Sequence, residues 1–562
     1  MHDGADPRPV TAAATFCATL VDEWVRGGLD LAFVAPGSRS TPLALALIEH
    51  GRVGVSVHHD ERSASFAALG YAKATGRATV MLCSSGTAGT HFAGAVAEAD
   101  LSAIPLIVCT ADRPPNLWDV GAPQVIDQTH LYGGMVRWFA EPGVPREIDK
   151  GSWRSIGSRA WLEASGGTGA GRGPVHLNLS FEDPLAGQAG ELPPARRDNR
   201  PWHDSVDITP GVEPGPLLEQ IIGRDGVIVA GESVSDAPAL LALAARLGWP
   251  VLADHQSGCR RAGQSIAHFD SLLRLDSFGA AHRPSVVLRF GGALSSKVLS
   301  QWLAELDATV IAAMPHGRWV DAERVAATIV PEPGLAMSLL ERLPVEFAAS
   351  DFGARWRAAD DAAAEAVGDL LASTSHTSEP QIVREALGSV PAGGALVVAS
   401  SMPVRDLEWF APGRGDVRVF ANRGANGIDG TVATAIGVAL TDAPTTVVLG
   451  DVAFLHDATS LSALADRTID LTILVIDNDG GGIFGFLPQR ELLEHASFEK
   501  LFGTPHNTDI EALAGAHNIR VEAWDPITPN AGGVRLCRVA TDRDQNLIDH
   551  EALHAAVAAV VS

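Results

Sequence analysis

Leu449-Gly450-Asp451-Val452-Ala453 and, further on, Ile476-Asp477-Asn478-Asp479-Gly480 are the two stretches that decide the fold. Each closes an apolar run, Thr446-Val447-Val448-Leu449 in one case and Leu471-Thr472-Ile473-Leu474-Val475-Ile476 in the other. β-Branched runs this short, flanked by breakers, read as buried strands of a parallel sheet. The 27 residues from Asp451 to Asn478 hold one helix, placed over residues 458–466, and the next strand, which makes one βαβ crossover. Both strands then deliver an oxygen ligand to the same sheet edge. The Asp451 carboxylate, the Asn478 amide oxygen and the Gly480 carbonyl suit one small hard cation, such as Mg2+, that keeps places open for water and phosphate. Gly480-Gly481-Gly482 lets phosphate oxygens reach backbone N–H groups unhindered. Two ordinary strand-to-loop turns would use Asp and Asn as well, so the rest of the chain has to discriminate.

Composition narrows the classes. At ~150 residues per domain, 562 residues predict three or four domains. A hydrophobic content of 46% with 19% charged residues describes a protein with large cores. The net charge of −25 argues against nucleic acid and against an anionic membrane surface. An anionic substrate must therefore be drawn in by local clusters of Arg and Lys. Cysteines at 17, 83, 109, 259 and 537 form no CxxC, which predicts neither a zinc site nor a disulfide frame. With no basic-then-apolar leader and no apolar run of ~18 residues, the expected location is the cytoplasm, without stable membrane insertion.

Taken in order, residues 1–190 alternate strand and helix. Strands are expected at 30–35, 54–58, 79–83 and 104–109, each ending in a polar loop: Pro36-Gly37-Ser38-Arg39, His59-Asp60-Glu61-Arg62, Ser84-Ser85-Gly86-Thr87 and Thr110-Ala111-Asp112-Arg113. Such βα repeats give a parallel sheet with helices on both faces and ligands at the carboxyl ends of its strands. A Pro- and Gly-rich linker at 185–214 leads to a second α/β unit within 191–345. That unit lacks GxGxxG and reads as scaffold, except for the loop before Lys297. Residues 346–379 read as a linker helix, and the third unit, within 346–562, carries strands at 396–399, 418–420, 446–449, 471–476 and 535–539. The expected fold class is α/β: three doubly wound parallel-sheet domains, the first and third alike in layout.

A Gly-Asp answered by an Asn one crossover later resembles the magnesium–diphosphate site of thiamine diphosphate enzymes. Val57-His58-His59-Asp60-Glu61-Arg62, followed by Ala67-Ala68-Leu69-Gly70-Tyr71, resembles the element that carries their activating glutamate. That carboxylate hydrogen-bonds a pyrimidine nitrogen of the cofactor. On its own, Glu61 would merely favour a helix N-terminus. Four further motifs place an arginine just past a strand end: Gly37-Ser38-Arg39, Asp112-Arg113-Pro114, Ser401-Met402-Pro403-Val404-Arg405 and Asn422-Arg423-Gly424. Guanidinium forks match carboxylates, so four of them predict substrates with several carboxylates.

Together these motifs are similar to those of the 2-succinyl-5-enolpyruvyl-6-hydroxy-3-cyclohexene-1-carboxylate synthase family, thiamine-dependent transferases of menaquinone biosynthesis. The resemblance implies a pyrimidine-binding, a central and a diphosphate-binding domain. It also implies decarboxylation of 2-oxoglutarate and 1,4-addition of the four-carbon product to isochorismate. It makes Glu61 the catalytic activator and Asp451, Asn478 and Gly480 the ligands of Mg2+ or Mn2+. It assigns Gly37, Ser84, Gly86, Ser401, Met402, Gly424, Gly427, Ile428, Gly450, Val452, Gly481, Ile483 and Phe484 to thiamine diphosphate. Ser401, Arg405 and Arg423 would hold the oxoglutarate part; Ser38, Arg39, Arg113, Gln124 and Lys297 would hold isochorismate. Leu487 would join Ile483 and Phe484 in an apolar wall. In the family the first and third domains meet across a subunit boundary, which implies a homodimer or a dimer of dimers.

Four positions depart from the family pattern: Pro123 before Gln124, Val298 after Lys297, Asp479 beside Asn478, and Val452 where broader thiamine enzymes carry Gly. Two other readings remain. An acetolactate-synthase-like carboligase or 2-oxoacid decarboxylase would need fewer arginines, and a non-catalytic thiamine-fold scaffold would not need Glu61, Asp451 and Asn478 together.

Overall fold

The computed structural model describes residues 6–206, 214–344, 346, 349–465, 467–528, 530 and 532–561. Three all-parallel sheets organise it. The first contains β1 (Leu31–Val34), β2 (Gly54–Val57), β3 (Thr79–Cys83), β4 (Leu106–Asp112), β5 (Phe139–Ala140) and β6 (Pro174–Ser180), in the order β2-β1-β3-β4-β6-β5. The second contains β7 (Gly226–Ala230), β8 (Val251–Ala253), β9 (Val286–Phe290), β10 (Thr309–Met314) and β11 (Ala326–Pro331), in the order β11-β10-β9-β7-β8. The third contains β12 (Ala395–Val398), β13 (Arg418–Phe420), β14 (Thr445–Gly450), β15 (Leu471–Asp477), β16 (Arg520–Glu522) and β17 (Val534–Ala540), in the order β13-β12-β14-β15-β17-β16.

The third sheet repeats the strand order of the first, so the likeness in layout expected from sequence extends to topology. In both, the central strands are buried along their whole length because helices cover both faces: β3, β4, β6 and β15 are buried at every residue. The register Gly450↔Ile476 aligns the ends of β14 and β15, so Asp451 and Asp477 leave the sheet side by side and Asn478 follows one residue later. The sequence had predicted that shared edge.

Contacts divide the chain into two bodies. One comprises Met1–Asp207 with Gly424–Thr441 and Asp457–Arg467; the other comprises Ile208–Arg423, Asp442–His456 and Thr468–Ser562. In the first body the helix Thr431–Ala439 lies against the helix Glu61–Thr75 at a distance only glycine allows. A Cβ on Gly70 would sit 2.0 Å from the Thr434 carbonyl oxygen, and one on Gly437 2.0 Å from that of Ala67.

Several elements differ from expectation. The β14–β15 crossover holds a short helix, Asp451–His456, and a 3-10 turn, Ala458–Ala463, rather than one helix over 458–466; residue 466 lies outside the described residues. The linker helix ends at Ser373, and Glu379 opens a separate helix, Glu379–Ser389, because Ser378-Glu379-Pro380 is a helix-start sequence. Strands β5, β6, β11 and β16 were not foreseen. Of these, β5 and β16 are two and three residues long, too short for a period to register, and β6 carries polar His176, Asn178 and Ser180 within its run.

Candidate functional site

In the first body, the carboxyl ends of β1, β3 and β4 bring together Gly37, Ser38, Arg39, Ser84, Gly86 and Arg113. Glu61 is the first residue of its helix. Asp60 caps that helix, its carboxylate accepting the Arg62 N–H at 2.8 Å. Glu61 lies close enough to Cys83, at the end of β3, to push that thiol up further after burial has done most of the work. The loops meet tightly here: a Cβ on Gly37 would fall 2.4 Å from Ser84 Cβ. The Arg113 guanidinium donates to Ser85 Oγ and, at 3.1 Å, to the Gln124 carbonyl, while Gln124 Nε2 donates to the Ser85 carbonyl at 2.9 Å. Arg39 is anchored through Nη1 on the Phe181 carbonyl at 2.9 Å. Burial, then the charge of Arg39, holds the Arg113 guanidinium below its usual pKa. Two guanidiniums in mutual repulsion form a place for an anion. Ser38 stands exposed beside them.

Gly86 adopts φ 80°, and its N–H donates to Gln128 Oε1 at 2.8 Å. Gln128 Nε2 in turn reaches Asn178 Oδ1 at 2.8 Å, and Asn178 Nδ2 serves both Asp112 (3.0 Å) and Glu141 (2.5 Å). This buried network behind the Ser84-Ser85-Gly86 turn was not anticipated; its members lie on separate strands and loops with no shared motif. Besides Gly37 and Gly86, the cofactor-assigned Gly424, Gly427 and Ile428 belong with this body. The Gly424 N–H is engaged by Glu98 at 3.0 Å.

The second body carries the cation turn. Asp451 is buried, at 1% exposure. Its Oδ1 accepts the Val452 N–H at 2.6 Å, and its Oδ2 accepts the Gly480 N–H at 2.8 Å. Burial pushes this carboxyl up to about 6. His506 Nε2 lies 3.2 Å from the same Oδ2, while His506 Nδ1 accepts the Thr508 N–H at 3.0 Å, so the ring proton belongs on Nε2. Asn478 donates through Nδ2 to Glu379 at 2.9 Å, whereas its Oδ1 is buried without a hydrogen-bond partner among the described residues. Gly480 needs its φ of 141°, since a Cβ would fall 1.9 Å from the Gly503 carbonyl oxygen. An acceptor left bare in a protein interior calls for a donor or a cation. A carboxylate, an amide oxygen and a backbone carbonyl are the donors that Mg2+ or Mn2+ prefers. The residues present therefore fit such an ion.

Beside this turn, Ser401 holds φ 83° ahead of the helix Met402–Phe410, and Arg405 Nη1 donates to the Ser401 carbonyl at 2.6 Å. Burial, then Arg423, lowers the Arg405 pKa, which is a second pair of opposed guanidiniums. Gly450 has open space around its Cα, and Gly481 packs under Phe484 and the Phe502 carbonyl. Ile483 and Phe484 are half-buried in the turn Gly482–Phe486, with Leu487 exposed just beyond. Lys297, the first residue of the helix Lys297–Ala304, is exposed. A cavity of about 670 Å³ approaches the cation turn from the β17 side, lined by Asn478, Gly481, Arg538 and Arg543 but not by Asp451 or Ser401. Glu379 and His506 were both missed from sequence. The only signals were Ser378 before one and the turn-forming Thr504-Pro505 before the other.

Three family models match the chain: "Thiamine pyrophosphate enzyme, N-terminal TPP binding domain" over residues 14–131, "Middle domain of thiamine pyrophosphate" over 194–323, and "Thiamine pyrophosphate enzyme, C-terminal TPP binding domain" over 410–531. Among curated proteins, one from Thermobifida fusca is 42% identical over 571 residues, covering 98% of this chain and all of the relative. One from Myxococcus xanthus is 40% identical over 582 residues, covering 96% of each. One from Chloroflexus aurantiacus is 38% identical over 581 residues, covering 97% of this chain and 96% of the relative. All three bear the name 2-succinyl-5-enolpyruvyl-6-hydroxy-3-cyclohexene-1-carboxylate synthase.

Proposed function

The chain belongs to the 2-succinyl-5-enolpyruvyl-6-hydroxy-3-cyclohexene-1-carboxylate synthase family of thiamine diphosphate enzymes, and on that premise we propose that it decarboxylates 2-oxoglutarate and adds the four-carbon remainder to isochorismate, a step of menaquinone biosynthesis. Bound thiamine diphosphate would supply the electron sink that a 2-oxo acid needs to lose CO2. The chain supplies position and charge. Glu61 holds the pyrimidine end, and Asp451, Asn478 and the Gly480 carbonyl hold Mg2+ or Mn2+ at the diphosphate end. Gly37, Ser84, Gly86, Ser401, Met402, Gly424, Gly427, Ile428, Gly450, Val452, Gly481, Ile483 and Phe484 line the cofactor. Arg405 and Arg423, with Ser401, take the carboxylates of 2-oxoglutarate. Arg39, Arg113, Gln124, Ser38 and Lys297 take those of isochorismate, with Leu487 on the apolar wall.

The observation that carries this reading is the placement of two guanidinium pairs just past strand ends, Arg39 with Arg113 and Arg405 with Arg423; burial first, and the neighbouring guanidinium second, lower the pKa of Arg113 and of Arg405. Holding like charges together costs stability; Asp112 and Asp183 at one pair and Asp406 and Asp270 at the other offset part of that cost, and carboxylate ligands would offset more. An acetolactate-type enzyme acting on pyruvate has no use for two such pairs. The active form would be a cytoplasmic homodimer or dimer of dimers, which sedimentation would distinguish. The deciding experiment is product mass from 2-oxoglutarate plus isochorismate, with and without thiamine diphosphate and Mg2+. Equal or better turnover of pyruvate would remove the substrate assignment.

A further inference from the structure

Glu379 is 2% exposed and lies in none of the motifs that define the site. It opens the helix Glu379–Ser389, well separated in sequence from the cation turn. Its carboxylate is met by three donors from three different places: Asn478 Nδ2 at the end of β15 (2.9 Å), Thr541 Oγ1 just past β17 (2.8 Å), and Asn546 Nδ2 on the helix Arg543–Val561 (3.0 Å). That helix is tied down one turn later. The Asn546 carbonyl accepts from His550 Nδ1 at 2.7 Å, and His550 Nε2 meets Asp406 at 2.5 Å. The carboxylate is therefore fixed from several sides before it touches Asn478.

An asparagine amide has two nearly isosteric orientations, and its neighbours select one. With Nδ2 on Glu379, Asn478 Oδ1 is left buried and without a hydrogen-bond partner among the described residues. Turned over, the amide would set Oδ1 against the Glu379 oxygen at hydrogen-bond distance and offer an N–H2 group to a cation, so both contacts would be repulsive.

We propose that Glu379 is a positioning residue for the metal site: by holding Asn478 Nδ2 it fixes the amide so that Oδ1, and not the nitrogen, faces the divalent ion. This inference rests on the reading of Asp451, Asn478 and Gly480 as the cation ligands. Carboxylates that orient a metal ligand in this way typically govern affinity by 10- to 100-fold.

The test is Mn2+ binding, read as loss of the free-ion EPR signal in the presence of thiamine diphosphate, on the full-length protein. Glu379→Gln keeps the volume but offers Asn478 either an acceptor or a donor, so it no longer selects an orientation. It should weaken Mn2+ binding about 10- to 100-fold while circular dichroism remains that of the unaltered protein. In an Asn478→Ala background the same substitution should change the Mn2+ dissociation constant no further. Thr541→Val removes a donor from Glu379 without touching Asn478 and should shift the constant by less than about threefold. Unchanged Mn2+ binding in Glu379→Gln, or a further full-size loss in the Asn478→Ala background, overturns the positioning role. If the unaltered protein takes up no Mn2+ with the cofactor, the cation-site reading itself falls, and this inference falls with it.

Discussion

Removing the Arg405 guanidinium should damage the use of one substrate and spare the other. The side chain leaves the second turn of the helix Met402–Phe410 and spends one N–H on the Ser401 carbonyl at 2.6 Å. Four of the five guanidinium protons remain, enough for a bidentate fork on a carboxylate. Burial and the neighbouring Arg423 already disfavour its charge, so an incoming carboxylate relieves a repulsion as well as forming hydrogen bonds. Truncating one partner of a desolvated charge pair costs ~2–5 kcal/mol. Arg405 is only half-buried, which places it toward the lower end, at roughly 3 kcal/mol or about 150-fold. Arg405→Ala should therefore raise KM for 2-oxoglutarate by about that factor and leave KM for isochorismate within about threefold. Arg405→Lys restores the charge without the fork and should lose about tenfold. Because Arg405 also holds Ser401 at φ 83°, some loss of kcat is expected in the alanine variant but not in the lysine one. Steady-state kinetics with each substrate varied separately, alongside melting temperatures, measures all of this. An equal rise in both KM values, or a fall in melting temperature with normal KM, would refute the assignment.

Glu61→Gln should leave cofactor binding and melting temperature near those of the unaltered protein while single-turnover decarboxylation of 2-oxoglutarate drops by at least about 10²-fold. Near-normal rates would sink the activation role. Asp451 has a folded-state pKa of about 6 in the cation-free chain, above its ordinary 3.8. Its contribution to stability is thus fully present below pH 4 and lost as pH rises through 6, about 3 kcal/mol in all. A bound divalent ion keeps the carboxylate ionised and removes that loss. The melting-temperature gain on adding Mg2+ with thiamine diphosphate should then grow from pH 5 to pH 7, and Asp451→Asn should flatten the trend in scanning calorimetry. Gly70→Ala places a Cβ 2.0 Å from the Thr434 carbonyl oxygen, so the two helices must separate. We expect a loss of at least about 2 kcal/mol in denaturant unfolding, and an unchanged midpoint would mean that the helix pairing is wrong.

What the sequence disclosed and what it hid follow one physical division. Strands β3, β4, β14 and β15 carry unbroken apolar stretches because helices shield both faces, and that pattern is local, so their ends could be located and the residues just beyond them read as a site. Gly450, Asp451, Asn478 and Gly480 come together because two parallel strands in register finish level, which any βαβ unit enforces. The same holds for Gly37, Ser84 and Arg113 at the ends of β1, β3 and β4. The two-residue β5 and three-residue β16 carry no periodic signal, whereas the break between Ser373 and Glu379 was legible in Thr374-Ser375-His376-Thr377-Ser378, a run of poor helix formers that the reading of 346–379 as one helix passed over.

The side chains that brace the candidate site were illegible for a different reason. Asp451 is recognisable because its chemistry and its position in a strand–turn element coincide. Glu379, Gln128 and His506 act across the fold: the Glu379–Asn478 hydrogen bond spans 99 residues, Gly86–Gln128 spans 42 and His506–Asp451 spans 55. Each is an ordinary polar residue near a turn or helix end, where such residues abound for local reasons. Only the folded arrangement shows that Glu379 is buried against three donors, and that an amide oxygen is left bare on the far side of one of them. A bare acceptor is costly in a protein interior, and a cation at the Asn478 oxygen is the simplest way for this chain to remove that cost. Two observations that meet at Asn478 thus favour the ion: the turn that sets it beside Asp451 and Gly480, and the long-range contact with Glu379 that leaves its Oδ1 bare.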